Sequence, residues 1–344
     1  VKDFISVLLP LYNAQDTLEA CLQSIFQQQG VSLEILAVDD GSTDSSPKIL
    51  QDFAALDSRL RIITLPKNQG IVAALNAGLA ACRGTWVARM DADDRMHPQR
   101  LYLQWDYLRR NTQIDLLGAQ IKLFQQEGTL RSGQIRYQDW SNSLCEDTAI
   151  KREIFAESPI MHPTFFASKD FFERMGGYQD NAWAEDYDFL LRAYLSEATF
   201  AKLPQVLVEK GDSPSRLARV DPRCKRKAMF EAKAHYFAQT KAWQAKKNLV
   251  VCGTGSSAKL LGKALKKNGV RIHAFTDNKP QIAGRSLMNC PVFTLTPETA
   301  KEFFSEYQDT FFLLTIGEPR GKAAVQSLLQ QNGFEQEKDF LRFL

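Results

Sequence analysis

The chain has 344 residues, 44% hydrophobic and 24% charged, the balance of a globular protein long enough for two domains of ordinary size. A net charge of +3 is too small to argue for nucleic-acid binding, and no apolar run reaches the roughly 18 residues needed to cross a bilayer. Six scattered cysteines without a C-x-x-C pair argue against a zinc site and a disulfide framework, so the cytoplasm is the expected compartment. The opening Val1-Lys2-Asp3-Phe4 lacks the pattern of a signal peptide, and a start without Met points to trimming.

Residues 5–9 read as a buried strand, and residues 16–28 as a helix with apolar Leu18, Leu22, Ile25 and Phe26. A second strand over residues 33–38 runs into Asp39-Asp40-Gly41-Ser42-Thr43-Asp44. A helix begins near Ser46, with Pro47 suited to its first turn. Residues 60–65 follow as a strand, residues 71–81 as a helix and residues 85–90 as a fourth strand. Strands alternating with helices predict parallel pairing, with helices on both faces of a sheet. The order loosens after Arg110, where residues 112–172 mix short strands and loops, as suits an acceptor-binding half. Residues 221–247 are basic and lack glycine, and Met229, Tyr236 and Trp243 fall seven apart, which predicts a connecting helix with one apolar side. A second alternation places strands over residues 249–252, 271–276 and 310–316 and a helix over 322–332. The fold class is therefore α/β throughout: a first domain over residues 1–220, a basic connecting helix over 221–247, and a smaller Rossmann-like domain over 248–344.

Acidic residues close the strands of the first domain. In an open parallel sheet, ligands bind beyond the carboxyl ends of the strands. Asp39 and Asp40 end the second strand, and Asp91, Asp93 and Asp94 end the fourth. The pair in Asp91-Ala92-Asp93 can hold a hard divalent ion through oxygen and leave positions for phosphate oxygens. Turn formation before the helix near Pro98 is the ordinary alternative. Three acids after a buried strand favour the site, because desolvated carboxylates need partners. Asp40 is set to accept a hydrogen bond from a base edge, beside the tight turn Gly41-Ser42-Thr43. Glu185 and Asp186 open an amphipathic helix, where the macrodipole alone would favour one acid. Transfer to a hydroxyl with inversion needs a base. Asp186 is the candidate, although spacing alone does not separate it from Glu185 or Asp188.

Five segments occur in order over roughly residues 4–220. They are Ser6-Val7-Leu8-Leu9-Pro10-Leu11-Tyr12-Asn13, Val38-Asp39-Asp40-Gly41-Ser42-Thr43-Asp44, Asn68-Gln69-Gly70 through Leu75-Asn76-Ala77-Gly78-Leu79, Asp91-Ala92-Asp93-Asp94 and Glu185-Asp186. Together they resemble the family 2 glycosyltransferases of the GT-A fold. The resemblance implies a nucleotide-sugar site in which Pro10, Tyr12 and Asp40 line the base pocket, Asp40 facing a uracil-like edge. It implies that Asp91 and Asp93 bind the diphosphate and a metal, Mg²⁺ or Mn²⁺, and that Asp186 is the general base. Asn68, Gly70 and Asn76 would shape the loop beside base or ribose, with turn and packing chemistry as the alternative. Arg216 would reach the diphosphate from a loop, although surface arginines are usually solvated. His162 in Met161-His162-Pro163, Trp183 and Glu185 would face the acceptor. A local hydrogen bond for His162 and core packing for Trp183 are the ordinary alternatives. The implied reaction moves a hexosyl or N-acetylhexosaminyl group from a nucleotide-sugar donor, UDP-linked on this reading, to a hydroxyl of a polysaccharide, glycolipid or protein. It is a single in-line displacement with inversion.

In the second domain, Gly253-Thr254-Gly255-Ser256-Ser257-Ala258 follows a strand and opens a helix, with Asp277 ending the next strand. Gly253, Gly255 and Asp277 thus form a candidate ligand loop, for which a nucleotide, a regulatory role and a structural role all stay open. Arg219, Arg223, Lys225, Arg226, Lys227 and Lys233 make a basic stretch that would touch anionic lipid peripherally at the inner face of a membrane, or a polyanionic acceptor, or else form a solvated helix face. Two rivals stand beside the transferase: a sugar nucleotidyltransferase and a non-catalytic nucleotide-sugar-binding regulator. Pro10-Leu11-Tyr12-Asn13 replaces the Gly-rich, basic triphosphate loop of the first. The Asp91, Asp93 and Asp186 set argues against the second.

Overall fold

A computed structural model describes residues 3–125, 129–212, 221–282 and 284–344. The chain divides into two compact units, the first comprising Val1–Ile150, Pro159–Asn181 and Glu185–Val220. Its sheet is built on β1 (Phe4–Leu11), β2 (Ser32–Asp39), β3 (Leu60–Thr64) and β4 (Trp86–Arg89). These pair in parallel in the order β3-β2-β1-β4. β1 and β2 are near-continuous apolar runs, as strands covered on both faces must be. Pro10 lies on β1 beyond its last pairing with β4, Leu8↔Arg89, so its missing N–H removes nothing from that ladder.

Residues after Arg110 are more regular than the expected mix of short strands and loops. β6 (Leu116–Gln125) and β8 (Phe200–Asp212) run parallel to each other, and β7 (Phe166–Ser168) joins β6 to β4 with antiparallel pairing. The two-residue β5 (Arg95–Met96) closes the edge on β8, giving the order β3-β2-β1-β4-β7-β6-β8-β5. The strands of the early alternation, β1 to β4, are parallel as expected, and the sheet becomes mixed only through the later β5 and β7. The helices α1 (Leu18–Phe26), α2 (Ser46–Leu56), α3 (Ile71–Ala81) and α4 (Arg100–Arg110) cover it.

β1 and β2 share one buried polar knot. Glu34, 4% exposed, accepts hydrogen bonds from Ser6 Oγ at 2.6 Å, the Arg83 N–H at 2.7 Å and Arg61 Nη1 at 2.6 Å. Burial alone would raise its pKa, but the three donors overcome it and hold the carboxyl below its ordinary value. Glu34→Ala strands those donors and is expected to cost about 3 kcal/mol, the lower part of the buried-pair range because Arg61 reaches solvent. In denaturant titrations the wild type should retain this margin above the unfolded-state pKa and lose it as pH falls through the depressed folded value.

The second unit comprises Lys151–Ser158, Ala182–Ala184 and Asp221–Leu344. Its sheet has the order β11-β12-β10-β9-β13-β14, formed by β9 (Asn248–Cys252), β10 (Ala274–Asp277), β11 (Ser286–Leu287), β12 (Cys290–Thr294), β13 (Thr310–Leu314) and β14 (Phe340–Arg342). All neighbours are parallel except the β11–β12 pair. Strand order reverses between β9 and β13, the switch point of a doubly wound sheet.

The single helix expected over residues 221–247 is broken. A 3-10 turn over Pro222–Cys224 precedes one helix, Arg226–Phe237, and a separate short one, Lys241–Gln244. The Thr240 hydroxyl hydrogen-bonds the Phe237 carbonyl at the break, and Trp243 stacks on Phe237 from the second piece. Lys233 is buried, donating to the carbonyls of Ala156 and Phe343, and burial pulls its pKa down to about 8. Arg223 is paired with Asp221, and Arg226 hydrogen-bonds the Ser256 and Ser257 hydroxyls. Much of the basic run is thus engaged within this unit. Among the described residues no helix is long and apolar enough to cross a membrane.

Candidate active site

The loops after β1 and β2 are laced together. The Asn13 N–H donates to Ser42 Oγ, the Thr43 N–H to Asn13 Oδ1, and the Gln15 N–H to Asp44 Oδ2. Tyr12 projects from this edge, 46% exposed, and Pro10 is buried just before it. Asp40 is 4% exposed and spends one oxygen on the Gln69 N–H at 2.7 Å and the other on the Gly70 N–H at 2.8 Å. Asn68 Oδ1 accepts from the same Gly70 N–H at 3.1 Å. Asp40, Asn68 and Gly70 therefore meet, with Asp40 fixing the 68–70 loop through backbone bonds that each leave further acceptor capacity.

Past β4 the chain turns through Asp91, Asp93 and Asp94, whose carboxylate oxygens lie within 4.8 Å of one another. Two buried cations hold the turn. Arg89, 1% exposed, is ion-paired through Nη1 to Asp91 Oδ1. Lys210, on β8, sits 3.0 Å from Asp91 Oδ2 and 3.4 Å from Asp94 Oδ2. The Gly211 N–H donates to Asp94 Oδ1 at 2.8 Å. Beneath them Arg100 donates to the Arg89 carbonyl at 2.9 Å and to Gln104 at 2.9 Å, anchoring the strand end from α4. The ligand atoms are carboxylate oxygens alone, which suits a hard ion such as Mg²⁺ or Mn²⁺. The residues present fit that ion.

A second acidic group opens the helix Glu185–Leu195. Asp188 is fully buried and bonded to Asn181 Nδ2 and to Arg192 Nε, each at 2.7 Å. Glu185 is buried 3.9 Å from His162 Nδ1, beyond hydrogen-bond reach. His162 Nε2 instead lies 2.7 Å from the Tyr178 hydroxyl, and burial with the nearby Arg89 charge pushes its pKa well below the usual value, so the ring is neutral. Asn76 clamps Tyr178 by both backbone groups, at 2.8 and 2.9 Å. Asp186 is half-buried and accepts from the Tyr187 N–H at 2.7 Å. Burial raises its carboxyl pKa; that N–H, Arg89 and Lys210 oppose the rise, and Asp91 adds to it. The same two cations thus act on both acidic groups.

Trp183 belongs to the second unit, where its ring packs 5.3 Å from His235 and 6.1 Å from Tyr236. Arg216 lies outside the described residues. At the second unit's switch point Gly253 has φ +115°, and a Cβ there would meet Thr315 Oγ1 at 2.8 Å, so only glycine fits. Thr254 Oγ1 donates to Asp277 Oδ2 at 2.6 Å and the Lys279 N–H donates to Oδ1 at 3.2 Å, while Gly255 caps the following helix, Ser256–Lys267. Sequence reasoning passed over Arg89, Arg100, Tyr178, Lys210 and Gly211. Arg89 stands inside what reads as an apolar strand, and a charged residue in such a run is the one signal that could have found it.

Residues 6–176 match the family described as Glycosyl transferase family 2. AmsE of Erwinia amylovora, an amylovoran biosynthesis glycosyltransferase, is 34% identical over 206 residues, covering 59% of this chain and 74% of AmsE. The chain belongs to glycosyltransferase family 2. As such it is a nucleotide-sugar glycosyltransferase. The succinoglycan biosynthesis protein ExoO of Rhizobium meliloti is 38% identical to the transferase over 117 residues, 34% of this chain and 31% of ExoO. Among solved structures, S. aureus TarS 1–349 in complex with UDP-GlcNAc has a TM-score of 0.55 at 17% identity, covering 77% of this chain and 72% of that one. The mannosyltransferase PcManGT of Pyrobaculum calidifontis, in complex with GDP-Man and Mn²⁺, has a TM-score of 0.50 at 20% identity, covering 69% and 62%. These likenesses give the transferase a GT-A-like sheet.

Proposed function

We propose that this chain extends a cell-surface polysaccharide by moving a sugar from a UDP-linked donor to an acceptor hydroxyl with inversion. One observation carries the reading: the carboxylates of Asp91, Asp93 and Asp94 converge beyond β4, where buried Arg89 and Lys210 hold the turn. Asp91 and Asp93 hold a divalent ion, which when bound neutralises charge developing on the leaving diphosphate. Pro10, Tyr12 and the Asp40-fixed 68–70 loop accept the nucleotide. Asp186 takes the acceptor proton, its raised pKa making it a stronger base than an exposed aspartate. His162 and Glu185 shape the acceptor side. The polysaccharide context is supported by the kinship with AmsE and ExoO, both named for polysaccharide biosynthesis. The UDP-GlcNAc bound to TarS supports a uridine donor.

The test is release of nucleoside diphosphate from UDP- and GDP-linked sugars in the presence of polysaccharide acceptors. Release from UDP donors is expected, abolished by EDTA and restored by Mn²⁺. Release confined to GDP donors would move the donor class, and release indifferent to EDTA would remove the ion from the mechanism.

A further inference from the structure

Lys210 Nζ stands where a divalent ion would compete for ligands. It is 5% exposed, 3.0 Å from Asp91 Oδ2 and 3.4 Å from Asp94 Oδ2, two of the three carboxylates that could hold the ion. Asp91 is bonded to Arg89 through its other oxygen, so each Asp91 oxygen already faces a cation. An ion joining this turn must share oxygens with an ammonium a few ångströms away. At that separation in a buried site the repulsion between the ammonium and a divalent ion is only partly screened. A diphosphate reverses the sign, since its oxygens attract both the ion and the ammonium.

We infer that Lys210 is a resident counter-ion that makes divalent-ion binding at the acidic turn conditional on the donor's diphosphate. It steadies Asp91 and Asp94 when the donor is absent and disfavours a lone ion. With the donor present it adds positive charge to the phosphate site. Lys210 is accordingly a positioning residue for the acidic turn that also tunes the order of binding. The inference rests on the reading that this turn holds the ion.

The experiment measures Mn²⁺ affinity by water-proton relaxation or calorimetry, without nucleotide and with saturating UDP or GDP, in wild type, Lys210→Met and Lys210→Arg. The wild type should bind Mn²⁺ weakly alone and strongly with nucleotide. Lys210→Met should bind Mn²⁺ alone on the order of tenfold more tightly while binding UDP in the presence of Mn²⁺ more weakly. Lys210→Arg restores the charge and should return the lone-ion affinity toward wild type. This opposite movement of two affinities is something a merely structural loss would not produce, and thermal melting of each variant checks that it folds. Lys210→Met with unchanged or weaker lone-ion affinity overturns the inference alone. If Mn²⁺ binds no form even with UDP or GDP, the metal reading falls and takes the inference with it. Wild-type UDP binding that ignores Mn²⁺ but collapses in Lys210→Met also overturns it, because the lysine would then replace the ion.

Discussion

Asp186→Asn is expected to lower kcat by roughly 10³-fold while leaving nucleotide affinity within about threefold of wild type. The substitution keeps the shape and the contact with the Tyr187 N–H, and removes only the ability to take a proton. Its neighbours supply the internal control. Glu185 faces a neutral His162, and Asp188 is held by Asn181 and Arg192, so Glu185→Gln should cost far less kcat and Asp188→Asn should act mainly on stability. The pH profile gives a second check. Because burial raises the Asp186 carboxyl, kcat should fall as pH drops through a value above that of an ordinary aspartate, the protonated form being unable to accept. Single-turnover rates and UDP binding would separate these outcomes. An Asp186→Asn enzyme with near-normal kcat beside an inactive Glu185→Gln would transfer the base role to Glu185.

The parts of this site that were legible in sequence are those made by contiguous residues. β1, β2 and β4 announce themselves as largely apolar runs, β2 and β4 leading into acids, because a strand buried on both faces leaves little choice of residue until it reaches the ligand edge. The parts that were not legible depend on residues far apart in the chain. Asp40 could be located, but its bonding to the Gln69 and Gly70 amides depends on a loop that returns 29 and 30 residues later. Lys210 meets Asp91 across 119 residues, and nothing local to Val208-Glu209-Lys210-Gly211 signals that partner. The long, bulged pairing of β6 with β8 is hidden likewise, since Lys122 on β6 and Lys202, Glu209, Lys210 and Asp212 on β8 make a local pattern read as loop. The basic stretch failed for a different reason. A seven-residue recurrence of Met229, Tyr236 and Trp243 says nothing about a break between them, and Lys233 looks solvated until its carbonyl acceptors from residues 156 and 343 are in place.

Gly211→Ala should damage catalysis about 100-fold in kcat/KM although it adds only one methyl group. A Cβ at this position would lie 2.4 Å from the Asp93 carbonyl oxygen, closer than real Cβ contacts come, and 3.5 Å from the Phe124 ring. The backbone of β8 is fixed on one side by its pairing with β6, Gly211 opposite Phe124, so the strand has little freedom to retreat. The acidic turn must yield instead, carrying Asp93 away from Asp91 and straining the Gly211 N–H to Asp94 bond. Overpacking of this kind costs about 1–3 kcal/mol of stability. The core beneath is untouched, so the fold should survive with a lowered melting temperature. The diagnostic is the metal dependence: the variant should need more Mn²⁺ for half-maximal rate while its saturation by acceptor stays close to wild type. A Gly211→Ala enzyme with wild-type Mn²⁺ dependence would show that the turn tolerates the shift and that Asp93 is not held to its place by the β8 backbone.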